Sequence, residues 1–463
     1  MPGARSNLGV ALMVGATLGV ALRAGQQTLD APVLAPSRSL EDHAIKLQIA
    51  GHLDEAIAEF HAALQNDPEN ARLHFRLASA LRAQGNVRAA IAEYRRAVSI
   101  APGLVEAHLA LGDLLLQAHD LAGAEAEYRE AVRFKPRDAP THDTLGRILK
   151  DEGKIEEAIA EYQEAVRLAP GLTTARNNLG IALEASGNPE GAAAQFREAS
   201  RLTPEDAILH ANLGMALRQR GDLDGAIREF HEALRQQPDS ASIRYQLGST
   251  LIDQGAMREA AAELHQALRL DPHNAMAHED RAIALYALGD NYHALAELRA
   301  ATRLNPGSVE THKLLGKVLL GQFNWDDAAL EYQEAIRLKP DDVEAHDSLG
   351  RTYLESAQMS KAIAEFREAL RLMPGFTDAH YDLGRALYRK RDFDGAIAEL
   401  KQAVLLQPDF PTGQHALGLA LEQEGLDHDA IEHLRRAAEL APTDKSIQND
   451  YKTLAKRLAK QAK

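Results

Sequence analysis

Residues 173–206 read TTARNNLGIALEASGNPEGAAAQFREASRLTPED, and they contain two helical stripes followed by a stop. In the first half Leu179, Gly180 and Leu183 share one helical face. In the second half Ala192, Phe196 and Ala199 do so, at spacings of four and three. Gly187-Asn188 supplies a turn between the halves. Pro204 then ends the second helix, because proline lacks an N–H and disfavours helical geometry at the residue before it.

Outward from this stretch the pattern returns every 34 residues. Twelve of the eighteen prolines keep that interval: Pro68, Pro102, Pro136, Pro170, Pro204, Pro238, Pro272, Pro306, Pro340, Pro374, Pro408 and Pro442. An alanine lies twelve residues before each, from Ala56 to Ala430, and another lies five before, from Ala63 to Ala437. Between these two stands a large residue, such as Phe60, Tyr94, Tyr128, Tyr162, Phe196 or Leu264. In the first helix the Leu-Gly pair recurs: ten of eleven full repeats have the leucine and nine have the glycine. Glycine costs about 1 kcal/mol against alanine inside a helix. Its recurrence therefore predicts a close approach of two backbones, with the small alanine of the second helix opposite.

Leu-Gly pair, small residues in both helices and closing proline together resemble the tetratricopeptide repeat family. The resemblance implies an all-α fold, a right-handed superhelical solenoid of antiparallel helix pairs in which helix A of each repeat lines an inner face. That face commonly holds an extended peptide or a partner helix. A repeat of this kind cannot bury its apolar side alone, so each depends on its neighbours. The expected organisation is a segment 1–25, a linker 26–36, a repeat domain 37–444 and a tail 445–463. The repeat domain opens with a degenerate repeat, 37–70, followed by eleven full ones over 71–444. The tail, KSIQNDYKTLAKRLAKQAK, reads as a capping helix with Ile447, Tyr451, Leu454 and Leu458 inward and its lysines outward.

Residues 8–22, LGVALMVGATLGVAL, are uncharged and follow Arg5, which is the pattern of a signal peptide or short membrane anchor. On that basis a bacterial periplasm, envelope or membrane-anchored location is expected ahead of the cytoplasm. Leu18–Gln26 also reads as a broken-off helix A, which leaves a capping helix as the alternative.

Composition limits the chemistry. There is no cysteine, so thiolate catalysis, disulfides and sulfur-ligated metals are excluded. The formal net charge of −15 argues against general binding to a phosphate backbone, and the inner positions lack base-reading pairs, so nucleic acid is an unlikely partner. Glycines occur singly and form no nucleotide-binding loop. No catalytic, metal or cofactor site is expected, and the chain reads as a non-enzyme.

Eight of nineteen histidines share one repeat position: His74, His108, His142, His210, His278, His312, His346 and His380. The family commonly has a bulky aromatic there, which implies a looser join between repeats here. Successive members of the row stand too far apart to share one zinc ion, whose nitrogen ligands sit near 2 Å. Partial burial implies that stability falls as these residues charge between pH 7 and 5.

The positions that the family uses for ligands change character along the chain. Ile208, Met215, Tyr245, Ile252, Met276, Ile283 and Tyr286 form an apolar run. Lys317, Arg351 and Arg385 then share one position, with Lys313 and Arg389 nearby. The expectation is a protein or peptide whose apolar segment rests on 207–308 and whose acidic segment lies further along. Asn178 and Asn212 begin the asparagine ladder with which some relatives hold a peptide backbone, but Gln246, Asp280, Leu314 and Ser348 continue it. The lysine–asparagine clamp of chaperone-binding relatives is not found in full. Arg281 stands where leucine is otherwise universal among full repeats, so it is expected to reach a neighbouring acid or bend outward, leaving a soft joint. Trp325, the single tryptophan, reads as packing at a turn. The leading function is a non-enzymatic scaffold or adaptor that binds protein. The alternative is a substrate-recruiting or assembly subunit of a larger enzyme or secretion complex.

Overall fold

The computed structural model describes residues 35–461, and among these all regular structure is helical. Twenty-five α-helices alternate as helix A and helix B of successive antiparallel pairs, and the last one is unpaired. Each helix B stops two residues before its proline, as Asn66, Ile100 and Phe134 do before Pro68, Pro102 and Pro136. The N–H of the residue after the helix is taken by the carbonyl of the second alanine row, as with Asp67 to Ala63. Side-chain caps begin many of the helices: Asn70, Ser240 and Asp342 before helices A, Asn86 and Asp222 before helices B.

The chain forms two compact bodies that divide between Leu202 and Thr203. The first has a core running from Ala44 through Phe60, Tyr94 and Tyr128 to Leu179 and Ala182. The second has one running from Ala282 through Tyr332 and Phe366 to Leu434 and Leu454. The large residue of helix B is 0–4% exposed in every repeat, so it is the centre of each layer. Full burial of such a side chain contributes roughly 1.5–3 kcal/mol.

The glycine of the Leu-Gly pair faces that large residue most closely, and at Gly112, Gly384 and Gly418 the backbone carbonyl of the expected alanine also lies 3.2–3.7 Å from a Cβ placed there. A Cβ on Gly112 would lie 2.7 Å from the ring of Tyr128, and one on Gly248 2.5 Å from Leu264. The partner is always sixteen residues on. The missing Cβ makes room for a ring or a leucine, and the helices approach closely because that side chain sits against bare backbone.

The helix Lys445–Gln461 buries Ile447 and Leu454, half-buries Tyr451 and Leu458, and leaves Lys452, Lys456 and Lys460 exposed. The expected envelope or membrane-anchored location requires correction. Among the described residues no helix is long and apolar enough to cross a membrane. Spanning needs about 20 apolar residues, whereas the longest described helix has 17 and is amphipathic. The stretch 8–22 that prompted the expectation, with the rest of segment 1–25 and the linker up to residue 34, lies outside the described residues.

Candidate partner-binding face of the helices A

In the second body the helices Ala207–Gln219, Ala241–Gln254 and Ala275–Ala287 present the apolar run. Ile208 and Met276 are 58% and 63% exposed at the same repeat position, with Ser242 exposed between them in sequence. Met215, Tyr245, Ile252, Ile283 and Tyr286 are half-buried, so they serve packing as well as surface. A cleft of about 250 Å³ opens between the first two of these helices, lined by Ile208, Asn212 and Met215 on one side and by Ile243 and Gln246 on the other. An apolar side chain would fit against Ile208 and Met215 there, with amide groups beside it. Burial and the nearby Asp280 carboxylate push the Tyr245 phenol up.

The basic positions do not form an open cationic strip. Lys313 donates to Glu344 at 2.9 Å and lies 3.3 Å from Glu310. Arg351 bonds Asp382 at 2.6 Å and Asp347 at 3.0 Å. Arg385 donates to Asp382 at 2.8 Å, and Arg389 donates to the Leu354 carbonyl at 3.0 Å. Lys317 is exposed, with its ammonium 5.5 Å from the centre of the Tyr286 ring. Glu344 for Lys313 and Asp382 for Arg351 come from the next helix A, 31 residues on, while Glu310, Asp347 and, for Arg385, Asp382 stand three or four residues away in the same helix. An acidic partner segment would compete with the carboxylates already paired to Lys313, Arg351 and Arg385.

Asn178 is also engaged. In the first body it donates to Asp143 of the preceding helix A at 2.9 Å, so it ties repeats together rather than waiting for a ligand. Burial pushes the Asp143 carboxyl up, and this bond acts against the shift. Arg281 reaches an acid as expected: it donates to Glu297 of its own repeat. Trp325 packs edge-on against Phe323 at 6.4 Å, and Phe323 is 79% exposed.

The histidine row is the feature whose chemistry the sequence reading missed. In all eight cases Nδ1 lies 2.5–2.7 Å from a glutamate nineteen residues on, in helix B of the same repeat. Nε2 lies 2.8–3.2 Å from the carbonyl of the repeat-closing proline six residues back. His108, for example, joins Glu127 to Pro102. The join is bridged where looseness was expected. The signal was present in the sequence as a glutamate nineteen residues after each histidine. Among the described residues no cluster of three or more His, Asp or Glu is arranged to hold a metal ion.

Models of the tetratricopeptide repeat match residues 42–105, 177–241 and 313–375, and again 81–148, 217–279 and 353–420. Further matches cover 146–187 and 412–444. The chain belongs to the tetratricopeptide repeat family. The stretch between the matches, 280–312, takes in most of the repeat 275–308, in which Arg281 replaces leucine. No curated protein matches this tetratricopeptide repeat chain. Among solved structures it is similar to the MamA protein, at 27% identity over 37% of this chain and 93% of that one, with a TM-score of 0.36. The APC/C hetero-tetramer Cut9–Hcn1 aligns at 15% identity over 96% and 98%, with a TM-score of 0.43. Yeast Tom70 aligns at 17% over 92% and 96%, with a TM-score of 0.37. With TM-scores under 0.5 these neighbours lend nothing to the functional reading, which rests on the chain's own residues.

Proposed function

We propose that this tetratricopeptide repeat protein is a non-catalytic scaffold or adaptor that holds a segment of a partner protein on the helix A face of residues 207–286. The observation that supports this is the pair Ile208 and Met276. Both are large, apolar and more than half exposed at one repeat position, and Ile208 borders a cleft that also carries Asn212 and Gln246. Exposed apolar side chains gathered on one face mark contact surfaces. An apolar partner segment fits this pair, whereas Lys313, Arg351 and Arg385 beyond residue 310 are already paired with carboxylates.

The test is selection of peptides from a random library on the purified chain, repeated with an Ile208→Asp, Met276→Asp variant. Apolar peptides should be enriched on the parent chain, and their affinity should fall at least tenfold on the variant with helicity unchanged. Peptides that bind both proteins equally would place the contact surface elsewhere.

A further inference from the structure

The eight bridging histidines present a donor count that a neutral ring cannot meet. A neutral imidazole carries one N–H, yet each of these rings faces two acceptors, a carboxylate and a proline carbonyl. Two protons on the ring satisfy both contacts, and the glutamate then remains ionised as the counter-charge.

The three full repeats that lack the histidine supply an internal comparison. Arg244 occupies the position once, donating to the Pro238 carbonyl and to Glu263. Arg176 does the same with the Pro170 carbonyl and Gln195. Arginine is a permanent double donor. In the third case Gln414 gives its N–H to the Pro408 carbonyl and offers its oxygen to the facing residue. That residue is now a donor, since His433 Nδ1 lies 2.8 Å from the glutamine oxygen. Where helix A supplies an acceptor, helix B has changed from glutamate to histidine. The position is therefore matched by donor and acceptor, not by shape.

We propose that His108, His278 and His346 are proton-dependent struts, each complete only while its imidazole carries two protons, so that their helix pairs are held most tightly at mildly acid pH and loosen as pH rises. A strut ties three elements: the loop that enters the repeat, through the proline carbonyl, then helix A, then helix B. Loss of the second proton breaks one of the two bonds and releases either the loop or helix B.

The surroundings agree. Burial alone would lower His108, but the bonds to Glu127 and to the Pro102 carbonyl outweigh it, Glu130 adds to them, and the net shift is upward. The Phe134 ring lies 6.3 Å away, and the Arg133 guanidinium is held by Glu130. For His346 the Glu365 bond is the largest cause and the shift is again upward, with Glu368 contributing from the same helix B and Arg371 pairing Glu368. His278 is raised by Glu297 despite the opposing Arg281 charge, and His265 also faces that glutamate. A histidine raised in the folded state contributes stability that is complete below about pH 6.5 and is lost as pH climbs through the folded value. This reverses the fall between pH 7 and 5 expected from burial alone.

The test uses the full chain with ¹⁵N-labelled histidine, and single His108→Arg and His346→Arg variants assign the two resonances. The ring nitrogens of His108 and His346 should titrate with midpoints above the ordinary histidine value of about 6.5, whereas a midpoint at or below it on both rings would overturn the proposal. Thermal melts of the parent chain and the double arginine variant form the second arm. Between pH 7 and 9 the parent should lose several degrees more than the variant, and parallel losses would refute the strut. Should the variant not fold, the nitrogen spectrum of the parent chain still decides.

Discussion

Arg281 and His278 share one carboxylate: Glu297 takes the Arg281 guanidinium on one oxygen and stands 2.5 Å from His278 Nδ1 with the other. Arg281 Nε has no partner among the described residues, although the side chain is largely buried. In the ten other full repeats leucine fills this place. Removing one partner of a buried ion pair is costly when it strands the other charge, but Glu297 would keep His278, and the unpartnered Arg281 Nε would no longer be buried. Arg281→Leu should therefore raise stability by roughly 1 kcal/mol, read as a higher urea midpoint. A lower midpoint would mean that the guanidinium contributes more than the leucine it displaces.

Gly180 and Gly321 separate packing from helix propensity. A Cβ on Gly180 would lie 2.5 Å from the fully buried Phe196 ring, while one on Gly321 meets nothing within 4 Å. Overpacking costs about 1–3 kcal/mol, and alanine returns up to about 1 kcal/mol of helix propensity. Gly180→Ala should destabilise and Gly321→Ala should be neutral or stabilising. Equal effects in denaturant unfolding would contradict the contact.

Asp347 carries a buried carboxyl whose Oδ1 has no partner among the described residues. Burial pushes it up to about 7, with Asp382 and Asp378 adding to the rise and Arg351 opposing it. An acid raised in the folded state favours folding in its protonated form, so its contribution is lost as pH climbs from about 4 to 7. Asp347→Asn keeps an oxygen for Arg351 and removes the titration. The variant should gain stability over the parent across that range, by a few degrees at pH 7, in melts at matched ionic strength. A constant difference from pH 4 to 7 would contradict the shift.

Phe323 occupies a turn with φ of 60°, where eight repeats, the degenerate one included, have glycine at φ between 76° and 88°. A side chain in this left-handed region costs roughly 1–2 kcal/mol, and Phe323 recovers little of it, being 79% exposed. Phe323→Gly should stabilise by about 1 kcal/mol. A loss instead would show that the edge contact with Trp325 outweighs the backbone strain.

The sequence made the scaffold legible because its determinants are local and periodic. Pro204 and Ala199 announce the end of a helix, and Leu179 with Gly180 announces a packed face, without reference to anything distant. The partners of the candidate site were harder to see. Lys313, Arg351 and Arg385 read as a basic area interrupted by acids such as Glu310 and Asp347; that Glu344 and Asp382 reach back to Lys313 and Arg351 from about one repeat away was not visible in the spacing. Asn178 looked available for the same reason, since Asp143 belongs to the preceding helix A. The histidines were read singly, whereas their chemistry depends on what lies six residues behind and nineteen ahead. Arg281 was legible because the position is otherwise leucine and an unpaired guanidinium is too costly to leave buried.

The bare backbone at Gly112, Gly146, Gly180 and their counterparts separates two sets of positions in the nine full repeats that have this glycine. Those that hold the helices together meet across the glycine, while a second set, Ile208 among them, is exposed to solvent. Substitutions in the second set therefore leave the layer spacing intact. Evolution, or a protein engineer, can rewrite what this surface recognises one repeat at a time and keep the same frame.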